Sequence, residues 1–211
     1  MIDKEGNKML LRIKNIFDCN SNKISKILLG IAFLSIILSI FFPYWHLHLQ
    51  APQYPKGLDM HLYVNKLVGD VREIDILNHY IGMKSLEQGA IFERSISLYA
   101  ISLMLFSTVL AIFIKNKWAF LFTLPMLIYP IIFLLDLFYW LNLFGQNLDP
   151  RAPLSSSVDP FTPPLVGSKA IANFVVITSV GIGLYLVFFA DILVLASVYC
   201  QKKFQSIPID K

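Results

Sequence analysis

The sequence is poor in charged residues, in cysteine, and in histidine outside one short segment. Only 15% of the 211 residues are charged and 56% are hydrophobic, whereas about 25% charged residues are usual in soluble domains. This composition argues against a soluble globular domain and predicts an integral membrane protein. The lysines lie beside apolar runs, so the net charge of +4 points to lipid headgroups as partners and not to nucleic acid.

Cysteine is almost missing, and its pattern excludes several redox proteins. Cys19 and Cys200 flank the first and last apolar runs, and neither belongs to a CxxC pair. A membrane disulfide-exchange enzyme needs a cysteine pair near the outer face, and the sequence has none there. Both thiols are expected on the cytoplasmic side, where disulfides are rare, and both are therefore expected to be unpaired. No CxxCH motif exists to attach c-type haem. The apolar runs contain no histidine for b-type haem, so no haem is expected.

Four apolar runs each reach the length of about 20 residues that a membrane-spanning helix needs. They are residues 27–45, 96–114, 118–144 and 170–198. Basic residues are concentrated in segment 1–26, in the short turn at 115–117 and in the tail 199–211, which predicts cytoplasmic termini in a bacterial inner membrane. The predicted fold is an all-α membrane protein with four transmembrane helices. A small α+β extracytoplasmic cap is expected in the first outer loop, residues 46–95, and a proline-rich second outer loop at 145–169.

The first outer loop has its own secondary-structure pattern. LDMHLYVN alternates apolar and polar residues as a strand does, and DVREIDI is expected to be a second strand. EIDILNHYIGMKSLEQ has helical spacing. The loop is therefore predicted to pack as a cap on the outer ends of the helices.

All four histidines of the chain lie between His46 and His79. His46 and His48 form an HxH pair, whose side chains point the same way in an extended segment. Imidazole combined with thioether favours copper, whereas imidazole alone also suits zinc or nickel. The candidate metal ligands are His46, His48, His61, His79, Met60 and Met83. The alternative is a set of polar residues at the membrane interface without a ligand.

Two acidic residues interrupt the apolar runs. Asp136 is expected in the outer part of the third span, where Arg94 or nearby tyrosines could pair with it. Asp191 is expected near the cytoplasmic end of the fourth span, within reach of Lys202 and Lys203. Acids inside a membrane are costly and are usually functional or paired. A proton or ion path through Asp136 and a purely structural role both remain open.

The outer-loop stretches APQYPKGL and HLYVNKLVGDVREIDILNHYIGM, together with the span layout, resemble the NosB type of small polytopic membrane protein, which is associated with nitrous oxide reductase maturation. The resemblance implies a role on the periplasmic side beside a copper enzyme, either in its assembly or in its electron supply. It implies no catalytic residue.

The residues and the resemblance together predict a non-enzymatic accessory protein of the inner membrane. Its outer loop would bind metal, with copper favoured, or a protein partner of a periplasmic metalloenzyme. Two alternatives stay open. One is a structural subunit of a larger membrane complex without a ligand of its own. The other is a small proton-coupled transporter that uses Asp136.

Overall fold

The computed structural model describes residues 23–114, 118–171 and 173–205. Within them lie five α-helices and one five-stranded antiparallel sheet. The helices are α1 (23–39), α2 (Val71–Ile81), α3 (Ile91–Phe113), α4 (Trp118–Gln146) and α5 (Ile182–Gln205). The strands are β1 (Trp45–Ala51), β2 (Tyr54–Leu62), β3 (Leu67–Gly69), β4 (Gly167–Ile171) and β5 (Phe174–Val180). The expectations for segment 1–22, for the turn at 115–117 and for the tail beyond 205 fall outside the described residues.

Three helices of the described chain are long and apolar enough to cross a membrane, namely Ile91–Phe113, Leu121–Gln146 and Ile182–Cys200. The protein is therefore a multi-pass membrane protein. Many large apolar side chains on these helices are exposed, as expected for surfaces that contact lipid.

Helix α1 is shorter, because only residues 23–39 are helical before the chain turns towards β1. It runs antiparallel to α5. The Oγ atoms of Ser25 and Ser197 lie 2.7 Å apart at one end, and the amide of Gly183 donates to the carbonyl of Pro43 over 2.8 Å at the other. Helix α1 thus packs in the same apolar cluster as the three long helices.

The predicted fold class of four transmembrane helices with a small cap in the first loop is wrong. The described chain has five helices, of which three qualify as spans, and the sheet draws strands from two distant segments, 45–69 and 167–180. The strand order is β3-β2-β1-β5-β4, so β1 from the first loop pairs directly with β5 from the second.

The error arises at the predicted fourth span, residues 170–198. Its first part forms the end of β4 and all of β5, and the helix begins only at Ile182. A continuous apolar run has no periodicity that separates a buried strand from a helix. This part of the run is a strand because it pairs with β1, in which His46 to Gln50 align with Ser179 to Val175.

Gly181 makes the sharp passage from strand to helix possible. A Cβ atom on this residue would lie 2.2 Å from the carbonyl oxygen of Pro43, which is closer than any side chain tolerates. The amide of Gly181 donates to the carbonyl of Tyr44 over 2.9 Å. The start of α5 is therefore bound to the end of the segment that follows α1.

Residues 46–95 hold strands and a helix, with one difference from the sequence pattern. LDMH lies in β2, whereas DVREIDI is mostly helix, because its apolar residues continue the helical spacing of the next segment. The buried side of α2 consists of Val71, Ile74, Leu77, Asn78 and Ile81. This side packs with the inner face of the sheet and with the last turns of α4 in one apolar core.

Candidate site on the histidine face of the sheet

One face of the sheet carries most of the histidines of the chain. Side chains alternate between the faces of a strand, so His46 and His48 of β1 lie opposite Trp45, Leu47 and Leu49, which are buried in the core. In the register of β1 and β2, His46 pairs with His61 and His48 pairs with Asp59. We call these four residues (His46, His48, Asp59 and His61) the histidine face.

His46 and His61 form a direct imidazole pair. Their Nδ1 atoms are 2.6 Å apart, and the ring planes are nearly perpendicular, at 86°. One Nδ1 must donate and the other must accept, because two protonated nitrogens would repel each other at this distance. Partial burial and the neighbouring His61 lower the pKa of His46, although the nearby Asp59 acts in the opposite direction. In this geometry the pair therefore shares one proton between its two Nδ1 atoms.

His48 and Asp59 form the second pair on this face. The Nδ1 of His48 lies 2.7 Å from Oδ1 of Asp59. This contact orients the imidazole as an outer carboxylate orients a metal-binding histidine. Beneath the ring lies Gly57, where a Cβ atom would approach the Cε1 of His48 to 2.4 Å. Glycine at this position therefore leaves room for the ring.

The histidine face is open to solvent on its outer side. Across β5, His46 aligns with Ser179 and His48 aligns with Ile177, whose side chain is 37% exposed. Across β3, His61 aligns with Val68, which is 39% exposed. Apolar residues therefore border the polar pairs on both sides.

The other predicted ligands lie elsewhere. Met60 points to the opposite side of the sheet, and both Met60 and Met83 are buried in the apolar core. His79 lies on α2, in a polar groove with Arg72, Asp75 and Glu87. The structure therefore brings together three of the four histidines and neither methionine.

The present geometry holds pairs of ligands and not a complete coordination sphere. Among the described residues, no group of three or more His, Cys, Asp or Glu side chains is arranged to hold one ion. An ion about 2.0–2.1 Å from both Nδ1 atoms would see them at an angle of roughly 80° at their present separation. Metal binding by His46 and His61 would therefore require the rings to move apart.

The two acids within the helices have different surroundings. Asp136 of α4 is half-buried and lies near Glu93 of α3. Arg94 does not form an ion pair with it in the described chain. Its guanidinium instead donates to the carbonyls of Glu87 and Ala90.

Asp191 is buried, and its Oδ1 has no hydrogen-bond partner among the described residues. The side chains of Lys202 and Lys203 are not described.

Sequence reasoning missed Asp59 and Gly57 as members of the site. The signal was present, because Gly57, Asp59 and His61 are spaced by two residues in GLDMH and therefore share a face of a strand. Their partners could not be assigned without the register between β1 and β2.

No protein-family model matches the chain, and no curated protein is significantly similar to it in sequence. The site must therefore be interpreted from its own chemistry.

Proposed function

We propose that the protein is a non-enzymatic accessory protein of the bacterial inner membrane. It binds copper through its histidine face and supports the assembly of a periplasmic metalloenzyme. The observation that carries the proposal is the His46–His61 pair, whose Nδ1 atoms face each other at 2.6 Å on the partly exposed histidine face. The resemblance of the outer loop to NosB-type proteins favours an enzyme of nitrous oxide reduction as the beneficiary.

The ligand chemistry supports copper over harder ions. Imidazole is a good ligand for copper, whereas calcium and magnesium prefer oxygen ligands. Two facing imidazoles can bind an ion of low coordination number, and His48 lies two residues further along the same face. A site with few ligands at an exposed surface also releases its ion readily, as a protein that delivers copper must.

The proposed orientation places the sheet in the periplasm. Lys23 and Lys26 lie at the start of α1, at the end of the helices far from the sheet. Sequence segments 1–26, 115–117 and 199–211 are all rich in lysine. Excess lysine and arginine marks the cytoplasmic side of inner-membrane proteins. The histidine face would then meet the compartment in which copper enzymes are assembled.

Anaerobic titration of the purified protein with Cu(I), in competition with a chromogenic chelator, tests the metal site. The wild type should bind about one ion per chain at the histidine face, and the double variant His46→Gln/His61→Gln should lose it. His79→Gln is the matched control, because this imidazole lies on α2 away from the pair. Equal stoichiometry in the double variant and the wild type would overturn the assignment.

Labelling of intact cells tests the orientation. Lys56 is an exposed residue of β2, so Lys56→Cys in a Cys19→Ala/Cys200→Ala background places one reactive thiol on the sheet. A maleimide that cannot cross the inner membrane should label it before lysis. Labelling that appears only after lysis would place the sheet in the cytoplasm and contradict the proposed role.

A further inference from the structure

The side of the sheet that carries the histidine face is nearly free of charged residues. Besides the histidine face itself, the strand registers place on this side Gln50, Gly57, Val68, Ser168, Ala170, Val175, Ile177 and Ser179. Asp59 is the single charged residue among them, and none is lysine or arginine. Surfaces that remain in water carry interspersed charges, whereas the centres of protein interfaces are depleted of them. This side of the sheet therefore has the composition of a contact surface.

The hydrogen bonds of the histidine face leave particular ring nitrogens free. His46 and His61 share one proton between their Nδ1 atoms, so the ring that donates it keeps a lone pair on its Nε2. The Nδ1 of His48 contacts the carboxylate of Asp59, which places the proton there and leaves the Nε2 of His48 as the free ligand atom. Each chain therefore offers two oriented Nε2 ligands, one from the imidazole pair and one from His48.

These two ligands lie too far apart to bind the same ion. Residues two positions apart on a strand are separated by roughly 7 Å, and the rings of His46 and His48 are each held by a different partner on β2. Two nitrogen ligands of one ion are at most about 4 Å apart. Among the described residues, no group of three or more His, Cys, Asp or Glu side chains is arranged to hold an ion. Each Nε2 therefore needs a second ligand from outside its own chain.

We propose that a second copy of the protein supplies this ligand. The proposal rests on the copper-binding function proposed above and identifies the partner of that site. Two chains related by a two-fold axis place the charge-poor sides of their sheets against each other. Each of two copper ions is then bound by the imidazole pair of one chain and by His48 of the other. Two-fold symmetry makes the two sites equivalent and retains one ion per chain.

The chemistry and the position of this surface favour a second copy as the occupant. The surface carries imidazoles beside one carboxylate, so two copies in two-fold contact can place Asp59 of one chain opposite imidazoles of the other. Sheets pack face to face about 10 Å apart, a distance that histidine side chains from both sheets can bridge. Strand β5 ends only one residue before α5 begins, so the sheet stays close to the membrane. Copies held in the same bilayer then meet at high effective concentration.

A mixture of two variants tests whether each ion is shared between chains. His48→Gln keeps the imidazole pair, and His46→Gln/His61→Gln keeps His48, so each variant alone should lose the Cu(I) that chelator competition detects. After mixing in equal amounts in detergent and joint reconstitution into lipid vesicles, about a quarter of the wild-type stoichiometry should return. Half of the dimers are then mixed, and each mixed dimer has one complete site of two. Binding by the mixture no greater than the average of the two variants would overturn the proposal.

Ile177→Lys tests the contact surface and leaves every ligand in place. Ile177 aligns with His48 across β5, and a two-fold contact would bury two added charges there. The variant should lose the dimer in analytical ultracentrifugation and bind Cu(I) roughly tenfold more weakly or worse. Val166→Lys is the matched control, because Val166 is 61% exposed and lies outside the sheet. Wild-type dimer content and copper affinity in Ile177→Lys would overturn the proposal.

The protein mass of the copper-loaded wild type separates this proposal from the proposed function. Two chains with two ions is the expected result. One ion on a single chain would overturn the shared site and leave copper binding by the histidine face standing. A wild type that binds no copper would overturn both, because the shared site rests on that function.

Discussion

The indole Nε1 of Trp45 donates a hydrogen bond to the main-chain oxygen of Leu165 over 2.7 Å, which links the start of β1 to the proline-rich segment 145–169. Trp45 is 2% exposed and begins β1, whereas Leu165 lies in the proline-rich segment before β4. Thr178 of β5 adds a second contact, because its hydroxyl donates to the carbonyl of Pro164 over 2.9 Å. The second loop is therefore fixed against the sheet at adjacent residues.

We expect Trp45→Phe to loosen this loop. The substitution removes one hydrogen bond worth about 1 kcal/mol and leaves the carbonyl of Leu165 without its donor. Trypsin should then cleave more rapidly after Arg151 and Lys169, and Thr178→Val should act in the same direction. Limited proteolysis in detergent measures the rates, with Gln50→Ala, an exposed change on β1, as the control. Wild-type cleavage rates in both variants would show that the loop is held by other contacts.

The imidazole pair predicts a pH-dependent stability. The pKa of His46 is lowered in the folded protein, so the unfolded chain binds its proton more tightly. The contribution of neutral His46 to the stability is fully present above the ordinary pKa of imidazole and is lost as the pH drops below it. Thermal unfolding midpoints measured between pH 8 and 5 should therefore decrease, and the decrease should be smaller in His46→Gln. An identical pH profile in that variant would exclude His46 as a source.

Gly57→Ala should disturb the second pair of the histidine face. The backbone of Gly57 has φ of 76°, which costs a side-chain-bearing residue about 1–2 kcal/mol. Its new methyl group would also displace the His48 ring from Asp59. The unfolding midpoint should fall, and the NMR signal of the His48 ring should shift. Gly30→Ala in α1 is the control, since nothing lies within 4 Å of its added Cβ.

Asp191→Asn should leave the protein at least as stable as the wild type. The carboxyl group is buried within α5, and its Oδ1 has no hydrogen-bond partner in the described chain. A charge in such a position is costly in a membrane. The thermal midpoint should be unchanged or higher, with copper binding retained. A drop of several degrees would instead reveal a favourable interaction of the carboxylate.

The membrane character of the chain followed from its composition, and two of the three spans in the described chain could be placed to within about five residues, whereas the predicted span 170–198 began well before the helix at Ile182. Hydropathy alone could not separate β5 from α5, because VVITSV and LYLVFF are equally apolar and only the pairing with His46 to Gln50 distinguishes them. Because β5 was not recognised as a strand, the sequence also did not show that the sheet is built from two loops that are distant along the chain. Strand pairing across α3 and α4 leaves no local trace in the sequence.

The candidate site was partly predictable. The HxH spacing predicted that His46 and His48 share a side, and they do so on β1. That His61 lies beside His46 could be known only from the register of β1 and β2. Once His61 is placed on this face, the alternation of side chains along β2 places Met60 on the opposite face. His79 and Met83 depend on the position of α2, which local spacing could not give.

The central position of β1 has a consequence for biogenesis. One edge of β1 pairs with β2, which follows immediately, but the other edge pairs with β5, which is synthesised only after α3 and α4. Until then the strand presents unpaired backbone groups beside the membrane, a recognised route to aggregation. A chain that stops before residue 167 should therefore insert its helices yet remain dependent on a chaperone. Completion of the sheet is thus coupled to the synthesis of the segment that leads into the last helix.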